Sequence, residues 1–186
     1  MRGSRTKGTP RKGARLAFPF PCPRVSGGTT PVRPANAGGT PGSTSCRVRQ
    51  KGGEYMVNIY YMSIHGSGFK LSEHFTLREF QCHDGQDFIA VDPRLVELLE
   101  NIRKRCGAPV IINSGYRTPS YNRTLKGSAA QSRHLFGMAA DIKVKGYSPE
   151  QIAAIAGDYL GNSGGIGIYK TFTHVDVRTG SSRWKG

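Results

Sequence analysis

A histidine and a carboxylate stand seven residues apart in Ser132-Arg133-His134-Leu135-Phe136-Gly137-Met138-Ala139-Ala140-Asp141, with small and apolar residues between them. An imidazole nitrogen and a carboxylate oxygen are both accepted by Zn²⁺. Asp141 lies in Met138-Ala139-Ala140-Asp141-Ile142-Lys143-Val144, a short strand pattern with a charge in its middle. A carboxylate there costs free energy unless something pairs with it, and a metal ion would be such a partner. His174 offers a third ligand. In Thr171-Phe172-Thr173-His174-Val175-Asp176-Val177-Arg178 the strand alternation puts Phe172, His174 and Asp176 on one face and Thr173, Val175 and Val177 on the other. A His/Asp/His set leaves one tetrahedral position open, the arrangement of a catalytic rather than a structural zinc. Taken singly, His134 reads as a satisfied polar residue, and Asp141 as a cap or salt-bridge partner.

Several elements must position these groups. Thr76-Leu77-Arg78-Glu79 is a capping box opening a short turn over 76–80, with Phe75 and Phe80 as its anchors. Asp92-Pro93 supplies an N-cap and a proline at the first helical position. Leu95, Leu98, Leu99, Ile102 and Cys106 follow at helical spacing, and Gly107 ends a helix over 93–106. Pro109-Val110-Ile111-Ile112-Asn113 reads as a buried strand leading into Ser114-Gly115-Tyr116-Arg117, a turn that presents Arg117. A short helix is expected over 119–125 and a loop over 126–131. Ser148-Pro149-Glu150-Gln151 opens a helix over 149–160 with a stripe of Ile152, Ile155, Ala156 and Tyr159. Gly164-Gly165-Ile166 turns into a further strand. Helices and strands mix without a regular βαβ repeat, so the fold class is α+β.

The chain has 186 residues and a net charge of +15, unevenly spread. Residues 1–55 hold 11 Lys and Arg against one acid, Glu54, and 7 of the 11 prolines. No period of 2 or 3.6 is sustained there, and a disordered basic segment is expected over 1–55. Such an arm could contact nucleic acid, but its few aromatics and lack of helical pattern argue against that, and no nucleic-acid partner is expected. Lys51-Gly52-Gly53-Glu54-Tyr55-Met56 can be encoded by a purine-rich stretch like a ribosome-binding site ahead of a start codon. Translation is therefore expected to begin natively at Met56 or Met62, with 1–55 as translated leader. No apolar run is long enough to span a membrane. Leu16-Ala17-Phe18-Pro19-Phe20-Pro21 is too short and proline-broken for a secretory signal. Four cysteines, Cys22, Cys46, Cys82 and Cys106, show no CxxC spacing and give no disulfide framework; Cys106 reads as a buried free thiol.

Three motifs in order, Ser114-Gly115-Tyr116-Arg117, then Ser132-x-His134-x-x-Gly137-x-Ala139-x-Asp141, then His174-Val175-Asp176, resemble the D-alanyl-D-alanine carboxypeptidase family of zinc peptidases. The nearest likeness is to its small C-terminal peptidase domain branch, common in bacteria and their phages. The match runs from about Phe69 to Val177. The resemblance implies a peptidase domain over 66–180, a small antiparallel sheet flanked by helices of the Hedgehog and DD-peptidase kind. It implies one Zn²⁺ held by His134, Asp141 and His174. Arg117 would bind or polarise the substrate, and Ser132 would orient the loop or bond the substrate.

One position departs from the family. Many members carry a Glu or Asp three residues before the last zinc histidine, where this chain has Thr171. Asp176, about 6–7 Å along the strand from His174, would act as substitute base or hold His174 in its tautomer; Asp84 or Asp87 is another source of a base. The expected function is zinc-dependent hydrolysis of peptidoglycan stem peptides, as carboxypeptidase or endopeptidase, by a monomer acting at the cell wall. A lysis enzyme released through a holin, or an extracellular assembly role, would fit that location. The alternative is a non-catalytic zinc-binding module that recognises cell wall or a phage structural protein.

Overall fold

The computed structural model describes residues 44–50 and 53–186. The remainder of the basic arm, including Cys22, lies outside the described residues. Strand pairing begins earlier than the sequence reading placed it. Strand β1 (Thr44–Gln50) pairs antiparallel with β2 (Gly53–Tyr61), with Thr44 opposite Ile59 and Gln50 opposite Gly53. The signal in β2 is its alternation: Tyr55, Val57 and Ile59 are buried while Met56 is exposed. A boundary drawn through residue 55 cut this pattern in half. Tyr55 is also tied to the opposite end of the domain, its hydroxyl 2.8 Å from Thr179 Oγ1. A chain started at Met56 would lack that residue and β1.

A single helical turn, α1 (Met62–His65), leads to the capping-box turn Leu77–Phe80, where Glu79 accepts from the Thr76 amide at 2.8 Å. Phe75, Leu77 and Phe80 are all buried beneath it. Strand β3 (Phe88–Val91) completes a three-stranded antiparallel sheet in the order β1-β2-β3. Helix α2 (Pro93–Cys106) starts at Asp92, whose carboxylate accepts from the Arg94 amide at 2.9 Å, and stops at Gly107 in the left-handed region. Its Leu95, Leu98, Leu99, Ile102 and Cys106 face the core, as their spacing requires.

The second sheet carries the site. Its strands are β4 (Val110–Ser114), β5 (Ala139–Val144), β6 (Gly165–Ile168), β7 (Thr173–Asp176) and β8 (Ser182–Lys185), in the order β4-β5-β7-β6-β8. All pairs are antiparallel except β6 with β8. Helix α3 (Pro119–Thr124) follows β4, and α4 (Pro149–Leu160) follows β5. Thr173 Oγ1 donates to the Pro149 carbonyl at 2.8 Å, so the Thr173 and Val175 face of β7 packs on α4. His174 and Asp176 therefore point to the opposite face.

Two local expectations are corrected and one element is new. Strand β4 is not fully buried; it is an edge strand, and Ile111 is 54% exposed. The α4 stripe narrows to Ile152, Ala153 and Ala156, while Tyr159 turns to solvent. Strand β8 carried no expectation at all. Cys82 and Cys106 are free thiols, both buried. Among the described residues no helix is long and apolar enough to cross a membrane.

Glu100 on α2 clamps the 70–76 segment to the helix. Its carboxylate accepts from Ser72 Oγ at 2.6 Å, the His74 amide at 2.9 Å and His74 Nδ1 at 2.8 Å. Burial pushes its pKa up, but these bonds outweigh burial and the net shift is downward. A carboxyl depressed in the folded state stabilises fully above its unfolded pKa, about 4.3, and the contribution is lost as pH falls through the folded value. Glu100→Gln should cost about 1–3 kcal/mol at pH 7. That gap should shrink as the pH is taken below about 4. Urea denaturation at pH 7 and pH 3.5 measures both.

Candidate metal centre

The register of the second sheet builds most of the site. Ser114 pairs with Asp141, Asp141 with His174, His174 with Gly167, and Gly167 with Trp184. Residues opposite one another in register share a face, so these five form one row across five strands. A register irregularity between Ile112 and Ser114 aligns the first pair. Gly167 is the gap in the row. A Cβ there would stand 2.4 Å from the Trp184 ring, so only glycine lets the indole lie over this position. The indole then packs on the His174 ring, with centroids 5.1 Å apart.

His134 reaches the row from outside the sheet. It sits on a 3-10 turn, Arg133–Phe136, ended by Gly137 at φ +67°. A Cβ on Gly137 would lie 2.2 Å from the Ala90 carbonyl oxygen, so glycine is required twice over. The Gly137 carbonyl accepts from the Asp92 amide at 2.8 Å, and the His134 carbonyl accepts from the Arg117 amide at 3.1 Å. The turn is thus pinned to β3 on one side and to the Arg117 loop on the other.

The three candidate ligand atoms meet. Asp141 Oδ1 lies 3.2 Å from His134 Nε2 and 2.9 Å from His174 Nδ1, and the two ring nitrogens are 3.2 Å apart. Ligand atoms around a tetrahedral zinc at 2.0–2.2 Å stand roughly 3.3 Å from one another. Each ring is oriented by its other nitrogen. His134 Nδ1–H donates to the Gly115 carbonyl at 2.7 Å, which leaves a lone pair on Nε2. His174 Nε2–H donates to Asp176 Oδ2 at 3.1 Å, which leaves a lone pair on Nδ1. Two imidazole lone pairs and a carboxylate therefore converge on one buried point. They repel unless a cation or proton lies among them, and a divalent ion fits the donor set.

The ionisation of these groups follows from the same contacts. Burial pulls the His134 pKa down, against the pull of Asp141. Burial acts the same way on His174, but Asp141 and Asp176 outweigh it and the shift is upward. Burial alone would raise the Asp141 carboxyl; bonds from His134 and His174 instead hold it well below the usual carboxylate range. Asp176 is depressed likewise, by His174 and Arg178 against burial. Its oxygens accept from Arg178 Nε at 2.7 and 3.0 Å, and it is fully buried.

A cleft of about 500 Å³ opens in front of the triad. Arg117 lies at its floor, Nε donating to Ser114 Oγ at 2.8 Å and Nη2 paired with Asp141 Oδ2. Ser132 lines one wall. Another part of the lining, missed by sequence reasoning, is aromatic. Tyr169 and Phe172 stack at 4.4 Å, and Trp184 Nε1–H donates to the Tyr169 hydroxyl at 3.0 Å. Trp184 carried one signal: it is the sole tryptophan of the chain. Asp84 and Asp87 do not line the cleft. Asp84 is taken by Thr118 Oγ1 and the Gln86 amide, and Asp87 by Ser63. Thr171 is exposed in the β6–β7 turn and is absent from the lining as well. Among the described residues that line the cleft, Asp141 is the one carboxylate.

The class is thus an α+β domain with a buried His/Asp/His cluster whose donor set could hold a metal ion, beside an open cleft. The family model for peptidase M15 matches residues 73–176. The chain belongs to the peptidase M15 family, as the three motifs suggested. A Haemophilus influenzae protein named "Probable peptidoglycan L,D-endopeptidase MepK" is 35% identical over 104 residues, which cover 52% of this chain and 55% of the relative. The chain thus spans about half the length of that curated relative. Strand β8 and Trp184 lie beyond the matched residues.

Trp184 makes the triad optically readable. Adding Zn²⁺ to chelator-treated protein should change its tryptophan fluorescence and saturate at one ion per chain. Asp141→Ala should abolish the response. A response unchanged by that substitution would place the ion elsewhere.

Proposed function

We propose that this chain is a zinc-dependent peptidase acting on the peptide stems of peptidoglycan, with endopeptidase cleavage the better-supported mode. The convergence of two imidazole lone pairs and one carboxylate behind an open cleft is the observation that carries this reading. Family membership supports peptidase chemistry, and the name of the Haemophilus relative supports the substrate and the cleavage mode.

His134, Asp141 and His174 would hold the zinc. When bound, zinc supplies Lewis-acid polarisation of a carbonyl and makes water more acidic. The protein's own groups do the rest. Gly115 and Asp176 keep the two rings in the tautomers that present lone pairs. Arg117, held by Ser114 and Asp141, keeps further N–H donors for the cleft, where they would stabilise charge developing on a carbonyl oxygen. Ser132 would contribute a hydroxyl to the substrate. The aromatic wall of Tyr169, Phe172 and Trp184 would exclude water from one side of the bound peptide.

Asp176 is here a positioning residue rather than the base. Both its oxygens are occupied and neither faces the cleft. That the described lining residues include no second carboxylate favours one other reading, a module that binds cell wall without cutting it.

Purified sacculi treated with the zinc-loaded chain separate these possibilities. Free amino groups and defined fragments should appear, and should be lost with chelator, His134→Ala or Asp141→Ala. Binding without any fragment would establish the module. Asp176→Asn should weaken zinc affinity about 10–100-fold while turnover at saturating zinc persists. A loss of turnover with zinc fully bound would make Asp176 the base after all.

A further inference from the structure

The cleft is unevenly charged. Arg117, Lys126, Arg133 and Arg178 line it, against Asp141 alone. Two of these cations are already used: Arg117 is paired with Asp141, and Arg178 with Asp176. Lys126 is exposed at the rim. Arg133 differs from all three. It is half-buried, lines the cleft one residue before a metal-site histidine, and among the described residues its guanidinium makes no hydrogen bond or ion pair. Its backbone is fixed, because the carbonyl of Arg133 accepts from the Gly137 and Met138 amides. The side chain therefore departs from a rigid point beside the triad.

A cation withdrawn partly from water without a counter-charge is unfavourable, and charged groups are rarely buried unless paired. A bound divalent ion would add to the excess of positive charge. An anionic group that arrives with the substrate would supply that counter-charge. A planar guanidinium matches a carboxylate in two-point contact, whereas a backbone amide or a sugar hydroxyl leaves its charge unanswered.

We propose that Arg133 is a specificity-determining residue that binds a free carboxylate of the substrate peptide, away from the bond being cut. The cleft then selects acidic peptides whose carboxylates are not amidated, and Lys126 at the rim draws them in. This inference rests on the peptidoglycan-peptidase reading above.

The test uses the zinc-loaded full chain and two probes: soluble peptidoglycan stem fragments with free carboxylates, and the same fragments with those carboxylates amidated. Affinity is read by calorimetry and by Trp184 fluorescence, KM by fragment release, and zinc content in parallel. The wild type should bind the free form about 10-fold or more tightly than the amidated form. Arg133→Gln should bring the two probes to equal affinity, mainly through the free form, with one zinc per chain retained. Arg133→Lys should restore part of the preference. A preference that survives Arg133→Gln overturns the proposal. So does a wild type that cuts both probes equally well, which leaves the peptidase reading intact. A wild type that neither binds nor cuts either probe overturns both.

Discussion

The register between β5 and β7 is the constraint on which the site depends. Asp141 faces His174 because those two positions are paired across the strands. A one-residue slip would send one of the two side chains to the helix-covered face of the sheet. The same register extends outward to Ser114 on one side and to Gly167 and Trp184 on the other. One row of side chains thus supplies an anchor for Arg117, two candidate metal ligands, a gap, and the aromatic ring that fills it. His134 alone comes from elsewhere, and its turn is held by contacts to β3 and to the Arg117 loop.

Behind the ligands lies a layer that decides their chemistry. An imidazole beside a carboxylate can as easily donate a proton as offer a lone pair. Here the Gly115 carbonyl and the Asp176 carboxylate each claim one ring N–H, so the remaining nitrogens turn their lone pairs inward. His174 and Arg178 together keep Asp176 ionised against its burial, and Arg178 lies over Trp184, with the guanidinium 5.6 Å from the ring centroid. Asp176, Arg178 and Trp184 are therefore one assembly behind His174, and two of its members, Arg178 and Trp184, come from beyond the matched family segment.

The cleft is defined as much by what it omits. Asp84 and Asp87 are engaged in loops away from it, and Thr171 stands exposed on a turn. What remains is a basic, aromatic-walled cleft with one carboxylate among the described residues that line it. Such a surface suits an anionic peptide and leaves the charge balance to be completed by the ligand.

Local chemistry made much of this legible in the residues alone. Capping boxes at Thr76 and Ser148, and the Asp92-Pro93 start and Gly107 stop of α2, are short-range signals, and the elements formed where those signals lie. The alternation around His174 was likewise enough to put it on one face with Asp176. Pairing was not legible, because strand order and register depend on contacts between segments far apart in the chain. Nothing local to Ile111 tells that β4 ends up at a sheet edge, and nothing local to Trp184 tells that β8 runs parallel to β6 beside the site. Sequence determined which groups could bind a metal. The ring nitrogen that His174 presents is set locally, by Asp176 two residues along its own strand, whereas tertiary structure alone decided the nitrogen that His134 presents, since that choice belongs to a carbonyl at Gly115 brought in from another element.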